Sequence, residues 1–354
     1  MLFRSDLQSQ YREAKADIDA AIAHTIATNS FITGPDVIKF ETTLAEYLGV
    51  EAVASTGSCT TALQVALKAC GVVGGDEVIT TSHTFVSTVE AICNVGAIPV
   101  MVDIDEYYNI NPAAVIKAIT PKTKAILAMD AYGQSCDIHE LRFIANEYGL
   151  MLINDSAHSF GSAIMNVADL NCFSFNPIKN FGAMGDAGAV AGRADLVERC
   201  RMFRDHGRNT KFVFEEIGYN ARIDNLQANI LLAKLPYIKK WNERRYQIAQ
   251  KYSAALEPFV SVPLENKISD HVYYVYVISV EDRDALVSSL KDKGIATKIN
   301  YPVPCHLQPA FSRYTRTLPW RTELAAKSVL SLPMYHSLTD EQIDYVIDSV
   351  INSI

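Results

Sequence analysis

The chain has 354 residues, 32 Lys+Arg against 40 Asp+Glu, a net charge of −8 and 49% hydrophobic residues. That balance excludes a disordered chain and makes nucleic acid a poor partner, since such affinity rests on Lys and Arg neutralising phosphates; no run approaches the roughly 20 apolar residues of a membrane span. The seven cysteines are odd in number with none in CxxC spacing, and residues 1–15 lack a signal peptide's apolar core, so a cytoplasmic protein with reduced thiols and no dedicated metal site is expected.

From about residue 50 to 190 a short apolar run, turn residues and an amphipathic stretch recur. The runs Val53–Ser55, Glu77–Thr80, Ile98–Asp103, Ala125–Asp130, Met151–Asp155 and Asn171–Phe175 read as strands. Helices are expected at Thr61–Cys70, Val86–Asn94, Pro112–Ile119, opened by an Asn111-Pro112 start, and Ile138–Tyr148, stopped by Gly149. Apolar strands alternating with helices imply a mostly parallel sheet covered on both faces. Ala189–Gly192 reads as one more strand, with helices at Ala194–Phe203 and Asn225–Leu235 before Pro236. Beyond it the texture changes: a long helix Ile238–Leu256, a tyrosine-rich strand Tyr273–Val280, a helix ending at Lys293-Gly294, a strand Ile295–Ile299, and a last helix opened by the capping box Thr339-Asp340-Glu341-Gln342. The fold class is therefore α/β, three αβα layers around a large mostly parallel sheet in residues 1–236, with a smaller α+β domain in 237–354. Residues 1–30 are expected to form a helical segment packing on the small domain.

Ligands of an open parallel sheet bind beyond the carboxyl ends of its strands. Asp155 closes one strand; by itself it reads as a turn or N-cap carboxylate. Lys179 follows another in Ser174-Phe175-Asn176-Pro177-Ile178-Lys179 and by itself reads as a solvated loop charge. The segment Ser55–Thr61 joins a strand to a helix and is rich in hydroxyls, which suits a phosphate at a helix N-terminus as well as an ordinary cap. A phosphate cradle, an acid and a lysine at one rim are what pyridoxal 5'-phosphate requires: an amine to form a Schiff base and a carboxylate to keep the ring nitrogen protonated. Gly182–Gly188 has the wrong glycine spacing for a dinucleotide loop.

These residues, with Gly34-Pro35, Phe40-Glu41, Gly75–Ile79, Tyr132-Gly133-Gln134, Gly218–Arg222, Tyr301–Pro304 and Leu332-Pro333, resemble the DegT/DnrJ/EryC1/StrS sugar aminotransferases, a fold-type-I pyridoxal-phosphate family, over nearly the whole chain. By that resemblance Lys179 matches the Schiff-base lysine and Asp155 the carboxylate at the ring nitrogen. His158 matches a residue near the ring's phenolic oxygen and Phe85 the stacking aromatic. Cys59, Thr60 and Ser174 match phosphate ligands. Asn220 matches an asparagine reaching the partner subunit's cofactor, which implies a homodimer with shared active sites. Arg222, Tyr301 and His306 fall on the substrate side, although His306 also reads as a structural loop histidine. Three departures stand out: Cys59 replaces a glycine, Asn300 replaces a histidine, and the stretch Ser162–Asp169 is short.

The resemblance implies transfer of an amino group from an amino acid, glutamate by expectation, to a keto nucleotide-sugar. Asp6–Tyr11 and Ser30–Pro35 resemble relatives acting on 3-keto sugars more than those acting on 4-keto sugars. Within the same fold a sugar dehydratase would carry histidine in place of Lys179, and a non-catalytic regulatory relative would lack the lysine or the aspartate. The basic run Arg199, Arg201, Arg204, His206, Arg208, Lys211 reads either as a diphosphate contact or as a solvated helix face.

Overall fold

The computed structural model describes residues 2–354. Its main sheet has seven strands: β1 (Ala52–Thr56), β2 (Glu77–Thr81), β3 (Ile98–Val102), β4 (Thr123–Met129), β5 (Met151–Asp155), β6 (Leu170–Ser174) and β7 (Gly188–Gly192), in the order β1-β7-β6-β5-β4-β2-β3. Only β7 runs antiparallel to its neighbours, β1 and β6; the other pairs are parallel. The next two strands, β8 (Arg208–Thr210) and β9 (Val213–Phe214), form a separate hairpin.

The helices of this part are α1 (Leu7–Glu13), α2 (Lys15–Thr28), α3 (Pro35–Leu48), α4 (Cys59–Ala69), α5 (Val86–Asn94), α6 (Pro112–Ala118), α7 (Ile138–Tyr148), α8 (Ala194–Arg204) and α9 (Asn225–Lys234). Strand side chains alternate between two covered faces. Val78, Leu127, Ile153, Cys172 and Val190 pack with residues of α4, α5 and α8. Ile79, Ile126 and Leu152 face α6 and α7, while Phe173 and Ala189 face α3 and α9. This double cover gives three αβα layers and explains why β2 and β7 are buried at every position.

From α10 (Ile238–Leu256) onward the chain adds β10 (Tyr276–Ser279), α11 (Arg283–Asp292), α12 (Trp320–Ser328), β11 (Val329–Leu332) and α13 (Asp340–Ile351), with β10 antiparallel to β11. These surround a core of their own that includes Tyr252, Tyr276, Leu290, Leu330 and Val346. The capping box at Thr339 forms with both of its reciprocal bonds. No helix among the described residues is long and apolar enough to cross a membrane, and none of the seven cysteines is paired.

Two expectations are corrected. Ile295–Ile299 is not a strand: Ile295 and Lys298 make single bridges to Leu2 and Ser331, and the chain then turns to bring Asn300 and Tyr301 to the cavity described below. The tyrosine-rich strand is shorter than Tyr273–Val280, because Tyr273 has φ 43° and its N–H donates to its neighbour His271 Nδ1, so it joins no ladder. The helices of residues 1–30 touch both units: Glu13 of α1 accepts from Trp241 Nε1 at 3.1 Å and lies 3.2 Å from Lys240 Nζ and 3.0 Å from His336 Nε2. Ala14, Ile18 and Ile22 form an apolar stripe that meets Ile230 of α9; the extended start reaches the C-terminal unit through backbone bonds of Leu2 and Arg4 to Gly294, Ala296 and Met334. Met1 lies outside the described residues.

Candidate active site

The site lies at the edge of the sheet where β1, β5 and β6 end and β7 begins. Gly188 pairs with both Thr56 and Ser174, so the first residue of β7 sits between the ends of β1 and β6. A Cβ there would fall 2.6 Å from the Ser58 carbonyl carbon and 2.7 Å from the Cys59 nitrogen. Glycine is thus what lets the start of α4 lie against the sheet rim.

Helix α4 begins at Cys59, two residues before the expected Thr61, because Ser58 is the N-cap and its Oγ accepts the Thr61 N–H at 3.2 Å. The first-turn N–H groups of Cys59 and Thr60 have no acceptor within the helix and suit an anion. Side-chain hydroxyls stand close by: Thr60 Oγ1 donates to Ser87 Oγ at 2.9 Å, and Ser174 closes β6. The cysteine in place of a glycine is accommodated, its Sγ lying 3.8 Å from Asp155 Oδ1.

A cavity of about 210 Å³ opens here, and Cys59, Thr60, Phe85, Asp155, His158, Ser174, Lys179 and Tyr301 all line it. Asp155 is buried, with Oδ2 accepting from Thr88 Oγ1 at 2.8 Å and Oδ1 from the Ala157 N–H at 3.2 Å. Burial pushes its carboxyl above the usual range, and the Thr88 and Ala157 bonds and the Lys179 charge only partly oppose this. Such a carboxyl ionises readily when a cation is placed beside it. Lys179 Nζ lies 4.3 Å from the ring centre of Tyr274, and the same ring stacks on His158 at 4.2 Å. His158 is held well below the ordinary histidine range, first by burial and then by the charges of Lys179 and Lys298. Its Nδ1 is buried without a hydrogen-bond partner, which leaves one neutral imidazole nitrogen for a ligand. Phe85 is 56% exposed, a ring presented to the cavity instead of to the core.

The remaining predicted residues lie elsewhere. His306 is buried with Nδ1 2.6 Å from Ser82 Oγ and Nε2 3.2 Å from Glu323 Oε1, outside the cavity lining; its partners give it the structural role. Asn220 accepts from Arg222 at 2.9 Å, and Arg222 also pairs with Asp205 at 3.2 Å; neither lines the cavity. Most of the basic run is tied inward. Arg201 and Arg204 clamp Glu41, Arg199 donates to Ala69 O, and Arg208 pairs with Asp205. A more open cleft of about 650 Å³ lies beside that run but holds no lysine–aspartate pair like that of Lys179 and Asp155. None of residues 162–169 lines the cavity, so the short loop does not wall it.

Sequence reading missed Thr88, Tyr274 and Lys298. Thr88 stands three residues beyond Phe85 in a helix start, a faint signal; Tyr274 was hidden in a run read as strand; nothing in the sequence sets Lys298 apart from a surface lysine.

The mixed, mostly parallel sheet with a lysine and an aspartate in one rim cavity matches the fold-type-I class of pyridoxal-phosphate enzymes. The chain belongs to the DegT/DnrJ/EryC1/StrS aminotransferase family, whose model matches residues 12–351. It is 39% identical to the "pleiotropic regulatory protein" of Geobacillus stearothermophilus, over 98% of this chain and 96% of that one. It is 38% identical to the dTDP-3-amino-3,4,6-trideoxy-alpha-D-glucose transaminase of Streptomyces venezuelae, over 98% and 94%. A crystal structure of a Bacillus subtilis protein, NtdA, with bound cofactor PMP superposes with a TM-score of 0.92 at 34% identity, covering 96% of this chain and 82% of that chain.

Proposed function

We propose that this protein transfers an amino group from an amino acid, glutamate in the first instance, to a keto nucleotide-sugar, with the 3-keto position favoured, using pyridoxal phosphate. The observation that carries the reading is that Lys179 and Asp155 line one cavity whose rim is the N-terminus of α4. The donor set fits the cofactor: first-turn amides of Cys59 and Thr60 with the Ser174 hydroxyl for a phosphate, Asp155 for a protonated ring nitrogen, the unpartnered His158 nitrogen for a phenolic oxygen, and the Phe85 ring for a flat aromatic face. When bound, pyridoxal phosphate supplies an electron sink for the carbon that loses its proton.

Lys179 Nζ takes the proton from the donor's α-carbon in the first half of the reaction and returns one to the sugar carbon in the second. The donor departs as a 2-oxo acid whose carbonyl oxygen comes from water, the amino group passes to the sugar, and the sugar's keto oxygen leaves as water, so atoms and protons balance. Tyr274 limits where that amine can swing, since Nζ lies 4.3 Å from its ring centre. Asp155 contributes only as the anion, which the Thr88 and Ala157 bonds favour against its burial. The 3-keto preference is supported by the name of the Streptomyces relative. The regulatory name of the Geobacillus relative has a counterweight here, because lysine and aspartate are both present and both line the cavity. Asn220 and Arg222, outside the cavity, are assigned to the cavity of a partner subunit in a homodimer.

The test is the absorption spectrum of the purified protein with pyridoxal phosphate, before and after glutamate. A visible band that forms and then converts to the amine form of the cofactor supports the reading, and a panel of 3-keto and 4-keto nucleotide sugars then follows. Absence of any band refutes Lys179 as the cofactor lysine.

A further inference from the structure

The cavity has a second lysine with no part in the chemistry above. Lys298 lines it together with Asn300 and Tyr301, and its backbone is pinned by reciprocal bonds with Ser331 of β11, 3.2 Å from the Lys298 N–H and 2.7 Å to the Lys298 carbonyl. No carboxylate offsets its charge. Partial burial, then Arg4, then Lys179 disfavour the ammonium, and only Tyr274 favours it. Both carboxylates of the cavity are engaged: Asp155 with Thr88 and Ala157, and Asp186 with the Asn176 amide at 2.8 Å. Lys298 therefore stands in the cavity lining as a cationic side chain with no carboxylate paired to it.

We propose that Lys298 binds a carboxylate of the reactant held in this cavity, either the α-carboxylate of the amino donor or an acid group on the sugar. This inference rests on the transaminase reading. A cofactor phosphate has its own donors at α4 and Ser174. Lys298 lines the same cavity as Lys179 and His158, so an anion held by it shares that cavity with the reacting carbon. A donor carboxylate is bonded to that carbon, whereas the diphosphate of a nucleotide sugar is held away from it by the sugar ring. A mobile ammonium on a four-carbon stem suits such a monodentate contact.

The experiment measures calorimetric affinities of the cofactor-loaded protein for 2-oxoglutarate, UDP-glucuronate and UDP-glucose in wild type, K298M and K298R. Lys298 is at the surface of the cavity mouth, so both variants should fold. We expect K298M to weaken a carboxylate probe roughly tenfold or more, about 1.4 kcal/mol, with UDP-glucose unchanged and most of the loss recovered in K298R. Loss confined to 2-oxoglutarate assigns the site to the donor; loss confined to UDP-glucuronate assigns it to an acidic sugar. No Lys298-dependent affinity for either carboxylate overturns the proposal, and so does equal weakening of both UDP sugars, which points to the diphosphate. The glutamate-dependent spectral change of the wild type, recorded alongside, separates failure of the transaminase reading from failure of this one.

Discussion

Thr88 Oγ1 donates to Asp155 Oδ2 at 2.8 Å, joining the first turn of α5 to the end of β5. Thr88 Oγ1 in turn lies 2.6 Å from Thr84 Oγ1, so with Thr88 donating to Asp155, Thr84 donates to Thr88. This relay fixes the carboxylate and counters the burial that would protonate it. Thr88→Val should slow amino transfer by roughly 10- to 100-fold, the worth of a hydrogen bond to a charged group at about 1.5–3 kcal/mol. It should also move the acid limb of the pH–rate profile upward, because the carboxyl loses a bond that favours its anion. Thr88→Ser should restore both; an unshifted pH profile would count against the assignment.

Lys179→Ala should abolish amino transfer by at least about 10²-fold and leave circular dichroism and Tm close to wild type, since Lys179 makes no side-chain ion pair beyond its place over Tyr274. Retained turnover in single-turnover assays would refute its role.

Asp155 sets stability against function. Its folded carboxyl is raised by burial, so its stabilising contribution is present below the unfolded value near about 3.9 and is lost as pH rises through the folded value. Cofactor-free Asp155→Asn should therefore melt higher than wild type at alkaline pH, with the difference vanishing near the unfolded value. The same substitution should cut turnover more than cofactor capture. Scanning calorimetry across pH checks the first part, and kcat against cofactor Kd the second.

Glu41 has the opposite sign. Burial alone would raise its carboxyl, but Arg204 and the Ser55 hydroxyl and N–H hold it below the ordinary range. Its contribution is present above the unfolded value and lost as pH falls through the folded one. Glu41→Gln leaves Arg204 without a carboxylate beside β1, whereas Arg201 keeps Glu198. The cost should be about 3 kcal/mol at neutral pH, the low end for a broken buried pair because Arg201 is 34% exposed. Urea melts at pH 7 and pH 4 should show the gap narrowing with acid.

Gly188→Ala forces a Cβ into the backbone of Ser58 and Cys59 and must lift α4 from the rim. Affinity for pyridoxal phosphate should fall tenfold or more while Lys179 and Asp155 remain in place. Fluorescence titration with the cofactor measures this, and wild-type affinity would show that the start of α4 is not the phosphate site.

The layered fold was legible in the sequence because each of its signals is local. An apolar run of five residues, an Asn-Pro start and a Gly149 stop each act within one turn of chain, and the strand Met151–Asp155 and the helices Val86–Asn94 and Ile138–Tyr148 have the predicted bounds. Lys179 and Asp155 were legible for the same reason, since each follows its own strand at the rim. What the sequence could not determine was pairing at a distance. The segment at Ile295–Ile299 has strand composition, but only the tertiary structure decides that Leu2 and Ser331 each take one bridge from it. His306 and Tyr301 look alike as loop residues; Ser82 and Glu323 claim the first, while the cavity takes the second. Thr88, Tyr274 and Lys298 acquire meaning only when α5 and the C-terminal unit are brought against β5 and the Lys179 loop, because a hydrogen bond or an unbalanced charge depends on neighbours that chain order alone does not supply.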